Sequence, residues 1–396
     1  MLTKEVTDKY QVTRQTVNNW INDGIITKPC KGKNNKFIWT NKEIKELEAA
    51  LNYKNKKKDF NNYFEINNRR YLGSKHKLLN FIDEVFAKNT KNVNSVADIF
   101  AGTGVVAEHF NKKGKQVVVN DLLYSNYLSY LTWFGNDKIN EPKIHRMIDT
   151  FNLAEGCSGY ITKNFGDKYF TRENAMILDE VREKIEGLKD RVNPREYSFL
   201  MTSLLYAMDK SANTVGHYDA YRKTMTNTKK IEFKYPIYNK NNKDNLIFNM
   251  DANELAKTLY ADLVYIDTPY NSRGYENAYH VLENVAEWKK LDVEGVASKA
   301  VNRSEKSSEY NKKNAPFALD NLILNLDCRY ILLSYNNMAK KGNSRSNAKI
   351  SNDEIIETLS KRGEVKVFST DYNAFTTGKS KVEDHKELLY FCEVRK

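Results

Sequence analysis

Cysteine is scarce in this chain of 396 residues, which has four. They are Cys30, Cys157, Cys328 and Cys392, and no two of them form a Cys-x-x-Cys pair. This spacing speaks against a structural zinc site and against a disulfide framework. We therefore predict a reduced, cytoplasmic protein without a metal site.

Long apolar runs are also missing. No stretch approaches the length of a membrane span, and no apolar segment follows Met1 as a secretion signal would. Hydrophobic residues still make up 40% of the chain and aromatic residues 12%, which is enough to bury real cores. The length predicts two or three domains, and we expect no membrane partner.

Acidic residues are fewer than basic ones: 51 Asp and Glu stand against 63 Lys and Arg, a net charge of +12. Such an excess favours a polyanionic partner through long-range attraction and counterion release. The same excess also fits an ordinary solvated surface rich in Lys and Asn, so charge alone leaves both readings open.

Residues 1–51 predict a small module of their own. Thr13 is a candidate helix N-cap and Gly24 a candidate helix end, and one apolar stripe lies between them at Val17, Trp20 and Ile21. A basic loop, "KPCKGKNNK", a short strand and another helix follow. The arrangement resembles a MerR-type winged helix-turn-helix, in which the polar face would read the major groove: Arg14, Gln15, Asn18 and Asn19. The open alternative is a helical module that binds protein or nothing. Residues 52–68 are predicted to be a linker.

A pattern of strand, Gly-rich turn, helix and second strand begins at "SVADIFAGTG" and ends at "VVVND". Gly102 and Gly104 allow a ligand to approach the backbone near a helix N-terminus. Asp121 ends the second strand, where it could accept hydrogen bonds from ribose. The third glycine of a pyrophosphate-binding fingerprint is absent, which favours a nucleoside cofactor without phosphates over NAD.

"DIFAGTG", "VVVND" and "DTPYN" (267–271) occur in the order that resembles the alpha-group, Dam-type adenine methyltransferases, which modify DNA with S-adenosylmethionine. The resemblance implies an α/β, Rossmann-like class I methyltransferase fold. Its catalytic domain would comprise residues 69–130 and 246–396, and residues 131–245 would be an inserted target-recognition region. "RRYLGSKHKLL" and "NMDANEL" resemble further motifs of this group. The cofactor-binding residues implied are Tyr71, Lys75, Asp98, Phe100, Gly102, Gly104, Asp121, Asp251 and Asp267.

The resemblance also implies catalytic roles for Asp267, Thr268, Pro269 and Tyr270. An exocyclic amine is a poor nucleophile, and acceptors for its two hydrogens favour the reactive geometry. Asp267 would supply a carboxylate and Thr268 its main-chain carbonyl. Pro269 restricts the residue before it to extended conformations, so Thr268 can aim its carbonyl as the more usual proline would. Tyr270 would stack on a base flipped out of the duplex.

Within the insert, "SANTVGHYDAYRK" (211–223) combines small, aromatic and basic residues. Its candidates for DNA contact are Tyr218, Tyr221, Arg222 and Lys223. The alternative is a helix-to-loop transition with solvated charges. His217 has no visible ligand partners and is not predicted to bind metal.

Together these patterns predict an adenine-N6 methyltransferase that acts on double-stranded DNA, with a cognate restriction endonuclease as a possible partner. Two alternatives remain open at this level. Departure at the second position of the catalytic motif, here Thr268, is also seen in RNA adenine methylases. A DNA-binding regulator that kept the fold without activity is the other alternative, although the intact Asp267, Pro269 and Tyr270 argue against it.

Overall fold

The computed structural model describes residues 1–32, 34–53, 59–240, 242, 244–270, 272–301, 303–337, 348–371 and 386–395. Asn271, the last residue of the "DTPYN" motif, and part of the predicted linker lie outside the described residues. Helices in the described residues are α1 (Thr3–Tyr10), α2 (Arg14–Asn22), α3 (Asn41–Leu51), α4 (Leu79–Asn89), α5 (Val105–Lys112), α6 (Tyr124–Phe134), α7 (Glu141–Phe151), α8 (Tyr160–Phe165), α9 (Arg172–Glu186), α10 (Pro194–Ser211), α11 (Ala252–Ala256), α12 (Tyr275–Ala278), α13 (His280–Glu287), α14 (Ala315–Asn325) and α15 (Asn352–Ser360).

The strands are β1 (Cys30–Lys31), β2 (Phe37–Ile38), β3 (Tyr63–Phe64), β4 (Ser95–Asp98), β5 (Gln116–Asn120), β6 (Tyr235–Pro236), β7 (Leu246–Phe248), β8 (Tyr260–Ile266), β9 (Val293–Glu294), β10 (Lys299–Ala300), β11 (Asp327–Asn336), β12 (Gly363–Asp371) and β13 (Lys386–Val394). In the part of the chain that the structure describes, no helix is long and apolar enough to cross a membrane.

The chain divides into two compact units. The helical unit comprises Met1–Asn68, Asp137–Asn213 and Arg222–Tyr238, and the sheet unit comprises Arg69–Asn136, Thr214–Tyr221 and Asn239–Lys396. The predicted boundaries differ from this division. Residues 1–51 and most of the predicted insert share one unit, while residues 131–136, 214–221 and 239–245 of the predicted insert belong to the sheet unit.

A seven-stranded sheet organises the sheet unit, in the order β12-β13-β11-β8-β4-β5-β7. The strands from β11 to β7 pair in parallel, and β13 runs antiparallel to both β11 and β12. Helices α11, α14 and α15 contribute to the apolar core beside it. β8 is buried from Ala261 to Ile266, as expected for a central parallel strand covered on both faces. The result is an α/β fold with a mostly parallel sheet, as the sequence predicts for this part of the chain.

In the helical unit, the N-terminal segment and the insert share one core. Val6, Val17 and Leu47 of the first three helices are fully buried. Lys42 pairs with Glu180 at 2.8 Å, and Lys184 pairs with the buried Glu46 at 3.0 Å. A buried carboxylate is costly without a partner, so helix α3 depends on a lysine more than a hundred residues away in sequence. The hydrophobic periodicity of residues 1–51 gives no indication that α3 depends on Lys184.

Candidate active site

The carboxyl ends of the parallel strands meet at one edge of the sheet, and the predicted motifs follow these ends. The turn after β4 folds tightly: Gly104 donates its N–H to the carbonyl of Ala101 at 2.7 Å. Gly102 has φ +54° and Gly104 has φ +81°, in the left-handed region that favours glycine. A Cβ on Gly102 would lie 2.9 Å from the ring of Tyr71, so this position also requires a close approach.

Asp98, at the end of β4, is only 1% exposed. Neither of its carboxylate oxygens has a hydrogen-bond partner among the described residues. Burial, together with the nearby Asp267 carboxylate, raises the pKa of Asp98 well above its usual range. A buried carboxylate without a donor is costly, so this group suits a ligand that brings a positive charge or an N–H.

Asp121, just beyond β5, holds the Gly-rich turn in place. One of its oxygens accepts the N–H of Gly102 at 3.0 Å, and the other accepts the N–H of Leu123 at 2.8 Å. Burial raises the pKa of Asp121 to about 6. Since each carboxylate oxygen has two lone pairs, Asp121 can hold the turn and still accept a hydrogen bond from a ligand.

Tyr71 and Lys75 enter the site from the segment before α4. The ring of Tyr71 stacks on Tyr279 at 4.5 Å with an interplanar angle of 4°. The ammonium of Lys75, whose side chain is 5% exposed, lies 2.7 Å from Asp267 and donates to the carbonyl of Gly73 at 3.1 Å.

Asp251 and Phe100 lie on the remaining side of the site. Asp251 is the N-cap of α11 and accepts the N–H of Asn253 at 2.8 Å. Phe100 contacts the ring of Tyr310 edge to face at 5.1 Å.

These groups surround a pocket of about 900 Å³, a volume that includes its open mouth. Eight of the nine predicted cofactor residues line it: Tyr71, Lys75, Asp98, Phe100, Gly102, Asp121, Asp251 and Asp267. Gly104 instead caps helix α5. Sequence reasoning missed Tyr275, Lys306, Ser308, Tyr310 and Asn311, which also line the pocket. The nearest signal was the aromatic stretch "YNSRGYENAY", which contains Tyr275 but says nothing of residues 306–311.

Asp267, Thr268, Pro269 and Tyr270 follow directly after β8, beside the pocket. The side chain of Asp267 is 16% exposed. Burial and the Glu387 carboxylate raise the pKa of Asp267, and the Lys75 ammonium opposes them. The hydroxyl of Tyr270 lies 2.8 Å from Asp267, and its ring is 4.6 Å from that of Tyr335.

Two further groups complete this arrangement. Glu387 contacts the Tyr270 hydroxyl and accepts the Ser334 hydroxyl at 2.9 Å. We refer to this set as the sheet-edge cluster: Lys75, Asp267, Tyr270, Ser334 and Glu387. The sequence prediction did not include Glu387, and the one available signal was an acidic residue at the start of the apolar strand "ELLYF".

The predicted DNA contacts lie elsewhere. Arg14, Gln15, Asn18 and Asn19, together called the α2 face, are all exposed, and Gln15 donates to Asn19 at 2.8 Å. In the second group Arg222 and Lys223 are exposed and Tyr221 is half-buried.

Tyr218 requires a correction, because its side chain is 1% exposed. Its backbone N–H donates to the carbonyl of Ala278 at 2.7 Å, and its carbonyl contacts the ring of His280 at 2.9 Å. Tyr218 therefore packs inside the sheet unit and is not presented to a base edge. Across the described ranges, no group of three or more His, Cys, Asp or Glu side chains is placed to hold a metal ion.

Comparison with known proteins agrees with this geometry. Residues 71–345 match the D12 class of N6 adenine-specific DNA methyltransferases. The modification methylase StsI of Streptococcus sanguinis is 32% identical over 82% of this chain and 52% of its own length. Modification methylase LlaI of Lactococcus lactis subsp. lactis is 30% identical over 81% of this chain and 53% of its own length. The type II methyltransferase M.NlaIII of Neisseria lactamica is 29% identical over 82% of this chain and 98% of its own length.

The chain thus spans about half the length of the first two relatives and nearly the whole of the third. The match covers the Gly-rich turn, the pocket and the catalytic motif, together with the insert between them. The chain therefore belongs to the D12 class of N6 adenine-specific DNA methyltransferases.

Proposed function

We propose that this protein transfers a methyl group from S-adenosylmethionine to the N6 amine of a flipped adenine in duplex DNA. The observation that carries the proposal is the placement of the Asp267 carboxylate, half-buried directly after β8 and lining the pocket. An acceptor for the amine and a cofactor pocket then share one wall, as methyl transfer in a single displacement requires.

The pocket fits the cofactor of this family. S-Adenosylmethionine supplies an electrophilic methyl group on a positively charged sulfonium, next to an ammonium and a carboxylate. Asp98 offers an unpartnered carboxylate in the pocket wall, which suits a cationic group. Asp121 would accept a ribose hydroxyl with its remaining lone pairs, while Phe100 and Asp251 would contact the adenine ring and its amine.

The catalytic motif would prepare the target amine. Asp267 accepts one amino hydrogen and the main-chain carbonyl of Thr268 accepts the other, which favours a tetrahedral nitrogen with its lone pair directed at the methyl group. Thr268 as a residue is 3% exposed, and the proposal assigns its role to the main-chain carbonyl rather than to the hydroxyl. Pro269 lines the pocket and keeps Thr268 extended.

Tyr270 would stack on the flipped adenine. Such stacking is worth about 1–3 kcal/mol per base and offsets part of the cost of unpairing. The aromatic ring lies against Tyr335, so its position is defined before a base arrives.

The residues proposed to contact DNA are the α2 face and, separately, Tyr221, Arg222 and Lys223. The order α1, α2, the β1–β2 hairpin and α3 supports a winged helix-turn-helix for residues 1–51, with the hairpin as the wing. Relatives named modification methylases and type II methyltransferases support a role in a restriction-modification system, beside a cognate endonuclease in the cytoplasm.

The test is incubation with tritiated S-adenosylmethionine and duplex DNA, single-stranded DNA or RNA, followed by mapping of the modified positions. We expect N6-methyladenine at defined sites in duplex DNA, and no label with a folded Asp267→Ala variant. If only RNA is labelled, the substrate is RNA and not duplex DNA. A cofactor-binding wild-type chain that labels none of the three would identify a regulator without catalytic activity.

A further inference from the structure

Glu387 lies next to the catalytic motif on β13, which runs antiparallel to both of its neighbours, β11 and β12. β13 is antiparallel to β11, and Glu387 pairs with Asn336 at the end of β11. The first residues of β13 therefore lie at the same edge where the parallel strands end. Glu387 is 2% exposed and does not line the pocket, so it acts only through other side chains.

One hydroxyl hydrogen faces two carboxylates in this cluster. The Tyr270 hydroxyl contacts both Asp267, at 2.8 Å, and Glu387. A phenol carries a single hydrogen and can donate it to only one of them at a time. The Lys75 ammonium is shared in a similar way, at 2.7 Å from Asp267 and 3.6 Å from Glu387. Both donors of Asp267 thus also contact Glu387, Tyr270 by a hydrogen bond and Lys75 as an ion pair.

The Oδ1 atom of Asp267 accepts from both the Tyr270 hydroxyl and the Lys75 ammonium, which uses both of its lone pairs, and Lys75 also lies 2.7 Å from Oδ2. If the Tyr270 hydrogen turns to Glu387, one lone pair of Asp267 Oδ1 becomes available to an incoming amine without moving any heavy atom far. The Ser334 hydroxyl, also bonded to Glu387, keeps that carboxylate in place during the exchange.

We infer that Glu387 is a positioning residue that takes over the Tyr270 hydroxyl, freeing Asp267 to accept the adenine amine and holding the aromatic ring that stacks on the base. This inference rests on the proposed function and extends it to a residue outside the catalytic motif.

Glu387 also acts on Asp267 through its charge. The titratable groups that interact electrostatically with the Asp267 carboxylate come from the elements around it: Lys75, Asp98, Tyr265, Tyr270, Tyr275 and Glu387. The negative charge of Glu387 raises the pKa of Asp267, and the Lys75 ammonium lowers it. Removing the Glu387 charge lets Asp267 ionise at lower pH, so the acid limb of the pH–rate profile should move to lower pH.

The experiment uses Glu387→Gln, Glu387→Asp, Tyr270→Phe and the double variant Glu387→Gln/Tyr270→Phe in the full chain. Single-turnover methylation of one duplex is measured across pH, with thermal unfolding as the check of folding. Glu387→Gln should slow methyl transfer about tenfold, as expected for weakening a charge-assisted hydrogen bond. In the Tyr270→Phe background the same change should alter the rate less than about twofold, because its partner is already gone.

Glu387→Asp separates position from charge, since it keeps the carboxylate but withdraws it by one methylene. Its rate should fall like that of Glu387→Gln while its acid limb stays near that of the wild type. If Glu387→Gln does not fold, the Glu387→Asp variant and the Glu387→Asp/Tyr270→Phe double variant provide the same test.

The outcomes are separable. If the wild-type enzyme is active and the rate losses of Glu387→Gln and Tyr270→Phe multiply in the double variant, the two side chains act independently. That result would overturn the inference and leave the proposed function standing. An unchanged acid limb in Glu387→Gln would also overturn it. A wild-type chain that methylates no DNA would contradict both the inference and the proposed function.

Discussion

The sheet-edge cluster, which we propose acts in catalysis, and the α2 face, predicted to contact DNA, are both sets of polar residues, but the protein holds them in opposite ways. Lys75 and Glu387 are almost completely buried and form an ion pair at 3.6 Å. The α2 face is exposed, and its side chains contact mainly solvent and each other. Buried groups in low dielectric interact strongly and depend on each other, whereas exposed ones are screened and nearly independent.

This difference predicts where substitutions have large effects. A change in the cluster should act on the chemical step, in a way that depends on its neighbours. A change on the α2 face should alter DNA affinity modestly, by an amount that depends on the salt concentration. The following experiments test that contrast, from the largest expected effect to the smallest.

Asp267→Ala should slow single-turnover methylation by about 100- to 1000-fold, because one preorganised acceptor for the amine is lost. Cofactor should still bind, since Asp98 and Asp121 remain. Calorimetry with S-adenosylmethionine and rapid-quench methylation measure the two effects separately. A folded variant that methylates at the wild-type rate would mean that another group accepts the amine hydrogens.

Asp121→Asn should weaken S-adenosylmethionine binding by about 10- to 100-fold, the loss expected for charge-assisted hydrogen bonds. The effect has two sources, because Asp121 also holds the N–H of Gly102. DNA affinity should not change. Glu84→Gln, which alters an exposed carboxylate on α4, is the matched control. Equal cofactor affinities in the two variants would exclude Asp121 from the binding site.

Cofactor affinity should also depend on pH, since the pKa of Asp121 is raised to about 6. The ionised carboxylate is the acceptor, and it forms as pH rises through this value. At pH 5 about one tenth of Asp121 is ionised, so binding should be about tenfold weaker than at pH 8. Titrations at both pH values measure the ratio, and Asp121→Asn should reduce it. A ratio that persists in this variant would assign the titration to another group.

Arg14→Ala should weaken duplex binding only a few-fold and lower the salt slope of the affinity by about one. Lys163→Ala, at an exposed lysine of α8, controls for the loss of one positive charge. Point substitutions are preferable to deletion of residues 1–51, because deletion would strip Lys184 of its ion pair with Glu46. If the duplex affinities of both variants have equal salt slopes, the α2 face does not contact the DNA.

Thr268→Pro should leave methylation within about twofold of the wild type. Position 268 contributes a carbonyl, which proline retains, and it already precedes a proline and is therefore extended. Single-turnover rates on one duplex measure the effect. Loss of activity in a folded Thr268→Pro variant would show that the Thr268 hydroxyl takes part.

Local patterns in the sequence indicated the Gly-rich turn and the strand before Asp121, and the family resemblance implied most of the other residues that line the pocket. These patterns each lie within a few adjacent residues. The structure brings them together because parallel strands end at a common edge of the sheet. The expectation that Tyr218 contacts DNA failed because it rested on a short polar stretch alone. Such a stretch indicates a loop, but it does not show that Tyr218 is 1% exposed, with its backbone hydrogen-bonded to Ala278 and His280.

The sequence by itself determined the α/β class, the position of the Gly-rich turn and the motifs whose side chains we propose for cofactor and base, because these depend on neighbours a few positions apart. Tertiary structure alone decided which distant residues complete them. Glu387 reaches Tyr270 across 117 positions because β13 runs antiparallel beside β11 and begins where the parallel strands end. Glu46 and Lys184 are joined across 138 positions by helix packing in the same way. Buried charges must find partners, and only the packed chain determines which ones are within reach.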